Sequence, residues 1–368
     1  MNMERLLVTC GGTGGHFYPG LSVARTFQAA GKKVLIILSG VNSAAQAAIA
    51  ESFGIKAVVL PPMPSPRQAP FNFLRGYFSG IKAAKQVIKE FAPQALLGMG
   101  SFAMLPVAKA AKACKVPLFL HDGNAFVGKA NRYFSRNALA MGVAFPAANS
   151  SSCRCPVFHV GMPLRPELLQ FAAMSKQEAI AALNQLFDLK LDPEVPTLLV
   201  TGGSQGAAIF NETVPEALKK LSGKIQVLHL AGKGKLTDTA AHYRGMDIPL
   251  LLLEKHESME LFMAAADVVI SRSGGSTVAE LALFGKAAIL VPYPYAANDH
   301  QRFNAAYLTG SGAGEMVDNS EFTVEKAASM LQDFLDNPEK WQKYSRNAAK
   351  MAHPEAAQAM LDLIAGRI

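Results

Sequence analysis

The sequence predicts an α/β protein made of two Rossmann-like, doubly wound parallel-sheet domains. Three observations predict it. Short, nearly unbroken apolar runs alternate with helix-length segments along all 368 residues, as parallel strands covered on both faces require. That length suits about two domains of roughly 150 residues each. Finally, Leu6-Leu7-Val8-Thr9 followed by Cys10-Gly11-Gly12-Thr13 returns as Leu198-Leu199-Val200-Thr201 followed by Gly202-Gly203-Ser204. Each copy is a hydrophobic strand breaking into glycines, then a hydroxyl residue, then a helix, which is how a Rossmann-like domain begins.

Taken in order, the predicted strands are Arg5–Thr9, Val34–Leu38, Ala57–Leu60, Ala95–Leu97, Leu118–His121, Thr197–Thr201, Gln226–Leu230, Leu250–Leu253, Val268–Ile270 and Ala288–Val291. The stretch Gly161-Met162-Pro163-Leu164-Arg165-Pro166 reads as the link between a first domain, residues 1–165, and a second, residues 166–349. Beyond Pro338 the tail reads as two helices, the last of which (about residues 350–368) is expected to pack back on the first domain.

Half the residues are hydrophobic and 17% are charged, which supplies large cores and excludes a disordered chain. The net charge of +8 is unevenly spread: residues 1–165 carry 18 Lys and Arg against 4 Asp and Glu, whereas the remainder carries 18 against 24. Any polyanionic or anionic-surface partner therefore belongs to the first half. No uncharged apolar run approaches the ~18 residues needed to span a bilayer. The amino terminus meets its glycine cluster before a signal core can form. A cytosolic protein, at most peripheral to a membrane, is expected. Cys153 and Cys155 with His159 nearby invite a metal reading, but a second ligand pair is missing and reduced thiols are the expectation.

The glycine loops define the chemistry. Gly11-Gly12-Thr13-Gly14-Gly15-His16 is not a dinucleotide fingerprint, because Phe17 stands where the last glycine belongs and nothing between Glu4 and Glu51 is acidic. No P-loop pattern exists either. Further clusters follow predicted strands, where ligands of such sheets collect. They are Gly98-Met99-Gly100-Ser101-Phe102, His121-Asp122-Gly123-Asn124, Gly202-Gly203-Ser204-Gln205-Gly206, and Ser271-Arg272-Ser273-Gly274-Gly275-Ser276-Thr277-Val278-Ala279-Glu280. In the last, Gly274 and Gly275 let the backbone approach a phosphate, and Ser276 and Thr277 are placed to cap a helix and donate hydroxyls. Glu280, about one turn into that helix, is placed so that its carboxylate can take a ribose diol in bidentate fashion. Pro292-Tyr293-Pro294 and Asn298 to Asn304 form a polar helix start after a strand.

In this order and spacing the clusters resemble the peptidoglycan glycosyltransferases of family 28, from Gly11 to about Asn304 and over both domains. The resemblance implies the GT-B fold, two Rossmann-like domains facing a cleft. It also implies transfer of N-acetylglucosamine (GlcNAc) from UDP-GlcNAc to lipid I, the undecaprenyl-linked acceptor, with inversion at the anomeric carbon. On that basis Glu280 holds the ribose and the backbone near His256 faces uracil. Ser204 and the Gly275–Thr277 turn hold the diphosphate, within the Arg272 to Glu280 stretch that includes Val278 and Ala279. Arg165 is brought onto phosphate, and Gln301 and Asn124 read the sugar hydroxyls. Thr13, Gly14 and Gly15 face the acceptor's diphosphate and lie close to the donor.

Three places depart from the family pattern. Asp122-Gly123 replaces Glu-Gln, Ser101-Phe102 replaces Gly-Tyr, and Met162 stands where Asn is usual. All three concern the acceptor side.

Such an enzyme must deprotonate the acceptor hydroxyl and stabilise UDP as it leaves. A helix N-terminus with Arg272 or Arg165 suits the second task, with no metal or other cofactor expected. For the base, His16 at the tip of the first loop suits proton transfer near neutral pH; His121 with Asp122 is the rival. Phe71, Phe73, Leu74, Tyr77, Phe78 and Ile81 interleave with Arg75, Lys82, Lys85 and Lys89. Segment 71–89 reads either as an insertion face toward an anionic membrane or as a core-packed helix with a solvated basic side. The first fits a peripheral enzyme on the cytoplasmic face of the bacterial inner membrane, working with cell-wall and division protein complexes. No nucleic-acid recognition motif accompanies the charge. Two alternatives stay open: another UDP-sugar enzyme of this fold (a different acceptor, an epimerase or a hydrolase), and a UDP-sugar-binding scaffold without turnover.

Overall fold

The computed structural model describes residues 3–64, 69–203 and 205–368. The chain forms two compact units, one built from residues up to Arg165 together with His353–Ile368, the other from Pro166–Ala352. In the first, β1 (Arg5–Cys10), α1 (Gly14–Ala29), β2 (Lys33–Leu38), α2 (Ser43–Ser52), β3 (Ala57–Val59), α3 (Pro70–Phe91), β4 (Ala95–Gly98), α4 (Leu105–Ala113), β5 (Leu118–Asp122), α5 (Lys129–Phe134), β6 (Ala138–Val143) and β7 (Val157–His159) follow one another. They make a seven-stranded parallel sheet of order β3-β2-β1-β4-β5-β6-β7.

The alternation of β1 explains the layering. Leu6, Val8 and Cys10 face a core shared with Phe17, Leu21 and Val23 of α1, while Leu7 faces the opposite core with Ile88 of α3 and Val107 of α4. The first of these cores also holds Met360, Leu361 and Ile364 of α15 (Ala356–Ala365), so the final helix lies in the first unit. Gly161, at φ +85°, lets that crossing close: a Cβ there would sit 2.4 Å from Cβ of His353.

The second unit runs α6 (Glu167–Ala172), α7 (Lys176–Phe187), β8 (Thr197–Thr201), α8 (Ala208–Leu218), β9 (Gln226–Leu230), α9 (Leu236–His242), β10 (Leu250–Leu253), α10 (Met259–Ala265), β11 (Val268–Ser271), α11 (Gly275–Leu283), β12 (Ala287–Leu290), α12 (His300–Gly310), β13 (Gly314–Met316), α13 (Val324–Asp336) and α14 (Pro338–Ala349). Its parallel sheet has the order β10-β9-β8-β11-β12-β13. In each unit the winding reverses beside the first strand, between β1 and β4 and between β8 and β11. Crevices for ligands open at such points, outside the carboxyl ends of the strands.

Three strands escape the sequence reading. β6 (ALAMGV) is rich in good helix formers and carries Gly142, so neither propensity nor alternation marks it. β7 and β13 are three-residue edge strands, too short for any period to register.

Candidate functional site

In the second unit a cleft of about 1080 Å³ lies over the carboxyl ends of β8, β9 and β11. It has room for a nucleotide sugar. His256, Arg272, Gly274, Thr277, Glu280 and Gln301 line it, so five of the residues singled out for binding share one cavity with one of the paired glycines. Of the others in this unit, Gly275, Ser276, Val278 and Ala279 lie outside the lining, and Val278 is fully buried. Ser204 lies outside the described residues.

The capping expectation for Ser276 and Thr277 is corrected: Gly274 is the N-cap of α11, without any side-chain cap, which puts both hydroxyl residues inside the first turn. The turn nevertheless ends a helix with unsatisfied N–H groups at the cleft, a ready place for an anion. Its approach is braced from α12, because Ser273 Oγ donates to the Gln301 carbonyl (2.7 Å) and Asn304 Nδ2 donates to the Ser273 carbonyl (3.0 Å). Gln301 itself accepts the Tyr293 N–H through Oε1 at 3.0 Å, which fixes its side chain at the rim.

Arg272 does more structural work than its place in the motif suggests. Its Nη1 donates to the carbonyls of Val291 (3.0 Å) and Pro292 (3.2 Å) and to Asn319 Oδ1 (2.8 Å), and the guanidinium lies 5.0 Å from the Phe210 ring centre. It ties the end of β11 to the end of β12 while keeping positive charge beside the turn that opens α11. His256 packs its ring edgewise on Phe187 and at a tilt on Phe262, and its Nδ1 accepts the Ser258 N–H at 3.1 Å. With its ring held this way, His256 lines the cleft.

The cleft also holds residues that the sequence reading missed. Lys233 and Lys235 belong to Ala231-Gly232-Lys233-Gly234-Lys235 after β9, and Glu254, Met259 and Asn319 join them. A strand ending in Gly-Lys-Gly-Lys was the available signal, since Gly232 (φ +95°) and Gly234 (φ +74°) both take conformations that favour glycine.

In the first unit Gly11 (φ +127°) and Gly12 (φ +82°) carry the chain from β1 into α1, and a Cβ on Gly11 would fall 2.7 Å from the Ser39 carbonyl oxygen. Thr13 is the N-cap, Gly14 and Gly15 open α1, and His16 sits half-buried in the first turn with Nδ1 3.0 Å from Thr13 Oγ1. Arg165 lies with its guanidinium 5.7 Å from the Tyr18 ring centre.

His121 and Asp122 are placed differently from a catalytic pair. His121 is buried, its Nε2–H donating to the Gly161 carbonyl at 3.0 Å, and burial pushes its pKa down. The Asp122 carboxylate is closed by N–H donors from Asn124 (3.2 Å), Gly128 (2.8 Å) and Asn131 Nδ2 (2.9 Å). A general base must be reachable by the proton it takes. The pair instead holds the loop that carries Asn124.

Two departures from the family pattern turn out to be neighbours. A Cβ on Gly123 would lie 3.0 Å from Cε of the buried Met162, so the methionine occupies the space that a larger residue at 123 would need. A third concentrates strain: Ser101 holds φ +61° beside Gly100, and Phe102 is exposed. As for metal, Cys155 is buried, Cys153 half-buried, and among the described residues no group of three or more His, Cys, Asp or Glu is placed to hold an ion.

Comparison with known proteins decides the family. Residues 6–143 match the glycosyltransferase family 28 N-terminal domain and residues 197–360 the family 28 C-terminal domain. The chain belongs to glycosyltransferase family 28. Family 28 relatives from Desulforamulus reducens (33% identical, 98% of both chains) and Shewanella denitrificans (34%, 98% of this chain and 96% of that one) are named UDP-N-acetylglucosamine–N-acetylmuramyl-(pentapeptide) pyrophosphoryl-undecaprenol N-acetylglucosamine transferase. The crystal structure of Acinetobacter baumannii MurG superposes with a TM-score of 0.78 at 27% identity, over 99% of this chain and all of that one. A UDP-GlcNAc 2-epimerase from Neisseria meningitidis shares the fold alone, at TM-score 0.71 and 14% identity. With these likenesses the GT-B architecture read from the family 28 motifs stands.

Proposed function

We propose that this family 28 chain transfers GlcNAc from UDP-GlcNAc to the 4-hydroxyl of the MurNAc-pentapeptide of lipid I, releasing lipid II and UDP. The observation that carries it is the convergence of Thr277, Glu280, Gln301, Arg272 and the His256 turn on one nucleotide-sized cleft, in a chain whose full-length relatives bear that enzyme's name. The 4-hydroxyl oxygen attacks the anomeric carbon as its bond to the diphosphate breaks; the electron pair leaves on UDP and the hydroxyl proton passes to His16. The α11 N-terminus meets the charge developing on the diphosphate, with the field of Arg272 behind it and Arg165 as a further cation. Glu280 receives the ribose hydroxyls, the backbone at His256 the uracil, and Gln301 and Asn124 the sugar. Ser204, with the Gly275–Thr277 turn, completes the diphosphate contacts, and the Thr13–Gly15 turn faces the acceptor's own diphosphate.

An acceptor carried on a lipid requires a membrane contact, and α3 supplies a surface for it. Gly76, Gly80, Ala84 and Ile88 turn inward, with Gly80 tight against Pro106 of α4. Phe71, Leu74 and Phe78 are left exposed on the same side as Arg75, Lys82 and Lys89. Apolar side chains for the interface and cations for headgroups on one face suit peripheral binding to an anionic bilayer, which we place at the cytoplasmic leaflet. No described helix is long and apolar enough to cross a membrane. Phe71→Ser with Phe78→Ser is expected to lower partitioning onto vesicles containing phosphatidylglycerol by about a hundredfold or more, given ~1.5–3 kcal/mol for each of the two buried aromatic side chains. Sedimentation with vesicles checks it; unchanged partitioning would leave α3 out of membrane binding.

The activity itself is tested by UDP release. Release from UDP-GlcNAc is expected only when a short-chain lipid I analogue is added. Release or epimerisation without acceptor would favour a hydrolase or epimerase of the same fold, and binding without release a scaffold.

A further inference from the structure

Three buried polar residues that take no part in lining the cleft form a continuous hydrogen-bonded chain behind it. They are Asn211 on α8, His229 on β9 and Tyr243 just beyond α9, at 5%, 0% and 6% exposure. Asn211 Nδ2 donates to the Ala231 carbonyl at 3.0 Å, its Oδ1 lies 3.0 Å from His229 Nε2, and His229 Nδ1 lies 2.8 Å from the Tyr243 hydroxyl. One assignment of protons satisfies every partner. The amide nitrogen gives its hydrogen to the carbonyl, so Oδ1 accepts and Nε2 carries the ring proton. That leaves Nδ1 to accept from the tyrosine hydroxyl. Burial pushes the His229 pKa down to about 3, so the ring stays neutral and the directions of donation stay fixed at working pH.

The chain ends at a point where two glycine loops of the cleft touch. A Cβ on Gly206 would lie 2.0 Å from the Ala231 carbonyl oxygen, and one on Gly232 would lie 2.5 Å from Gly206 Cα. Only bare backbone permits that approach. Around the junction Ala231 N–H donates to Leu253 O and Gly232 N–H to Glu254 O, both at 2.8 Å. Lys235 Nζ donates to Gln205 O at 2.9 Å, and Gly234 N–H donates to the Glu254 carboxylate at 2.8 Å. Gln205, Gly206, Lys233, Lys235 and Glu254 all line the cleft. A shift of the Ala231 carbonyl is therefore a shift of the cleft's wall.

We propose that Asn211, His229 and Tyr243 are positioning residues of the nucleotide cleft, pinning the Ala231 carbonyl and through it the two glycine loops that receive the donor's uridine diphosphate. The proposal rests on the reading of this cleft as the UDP-GlcNAc site. What separates this relay from ordinary core packing is direction: Tyr243, which does not line the cleft, is joined to its wall through three oriented hydrogen bonds.

Calorimetry with UDP on the full chain tests it. Losing a buried partner in such a network is expected to raise the UDP Kd about tenfold in Asn211→Leu and about threefold in Tyr243→Phe. The KM for the lipid I analogue stays at the wild-type value in both. Leu218→Ala, a core truncation on the same helix as Asn211, serves as the control: it lowers the thermal midpoint and leaves UDP affinity within about twofold. Should Asn211→Leu fail to fold, Tyr243→Phe, which removes one oxygen, carries the test. Wild-type UDP affinity in the folded variants overturns the relay, as does an equal loss of affinity in Leu218→Ala. Failure of the wild-type chain to bind UDP overturns instead the nucleotide reading on which the relay depends.

Discussion

His16→Ala is expected to lower kcat for GlcNAc transfer by a factor of about 10²–10⁴, the contribution of a positioned general base, and to leave the UDP Kd unchanged. The reasons are local. Gly11 and Gly12 bend the chain sharply at the end of β1, so α1 starts at Gly14 and carries His16 in its first turn. The ring is half-buried, and Thr13 Oγ1 at 3.0 Å from Nδ1 orients it. Its rival is accounted for by structure: His121 donates to Gly161 and Asp122 is closed by three N–H groups. The pH profile separates a base from a mere contact. Loss of the acid limb of kcat in His16→Ala is expected. A variant with near-normal kcat and a raised KM for the acceptor would make His16 a binding residue.

Glu280→Ala is expected to raise the UDP Kd by about 10–100-fold, the scale of losing two charge-assisted hydrogen bonds. Glu280 stands in the second turn of α11, half-buried in the cleft lining. Alanine is the best helix former there, so the helix itself loses nothing by the change. A ribose partner gives the prediction a sharp form. The 2′-deoxy analogue of UDP should discriminate poorly between wild type and variant, because the diol that Glu280 would hold is already incomplete. Equal losses for UDP and its 2′-deoxy analogue would move Glu280 away from the ribose.

What the sequence made legible, and what it hid, follows from physics that acts locally or at a distance. The central strands were readable because full burial on both faces demands unbroken apolar runs, as in β1, β8 and β11. β6, β7 and β13 were not: one is rich in Ala with a glycine, and the other two are short edges whose strand character comes from the neighbour they pair with. The glycine turns announced themselves, since positive φ selects glycine. The cap was misjudged by two residues because Gly274 serves as N-cap where Ser276 was the better candidate by type. Arg272 read as a phosphate ligand, yet three of its hydrogen bonds are to Val291, Pro292 and Asn319, partners 19 to 47 residues away that no local pattern reveals. The Asn211–His229–Tyr243 relay was hidden for the same reason. Each residue looks like ordinary helix, strand or loop until the sheet brings them together.

Transfer of GlcNAc leaves a defined product, and the structure of that product tests the reaction. The full-length chain is incubated with UDP-GlcNAc and a short-chain lipid I analogue, and the purified lipid is examined by mass spectrometry and proton NMR. One added GlcNAc is expected, joined to the MurNAc 4-position through a β linkage, since a single displacement inverts the α-anomer of the donor. An unmodified acceptor beside consumed UDP-GlcNAc, or a linkage of the other configuration, would contradict it.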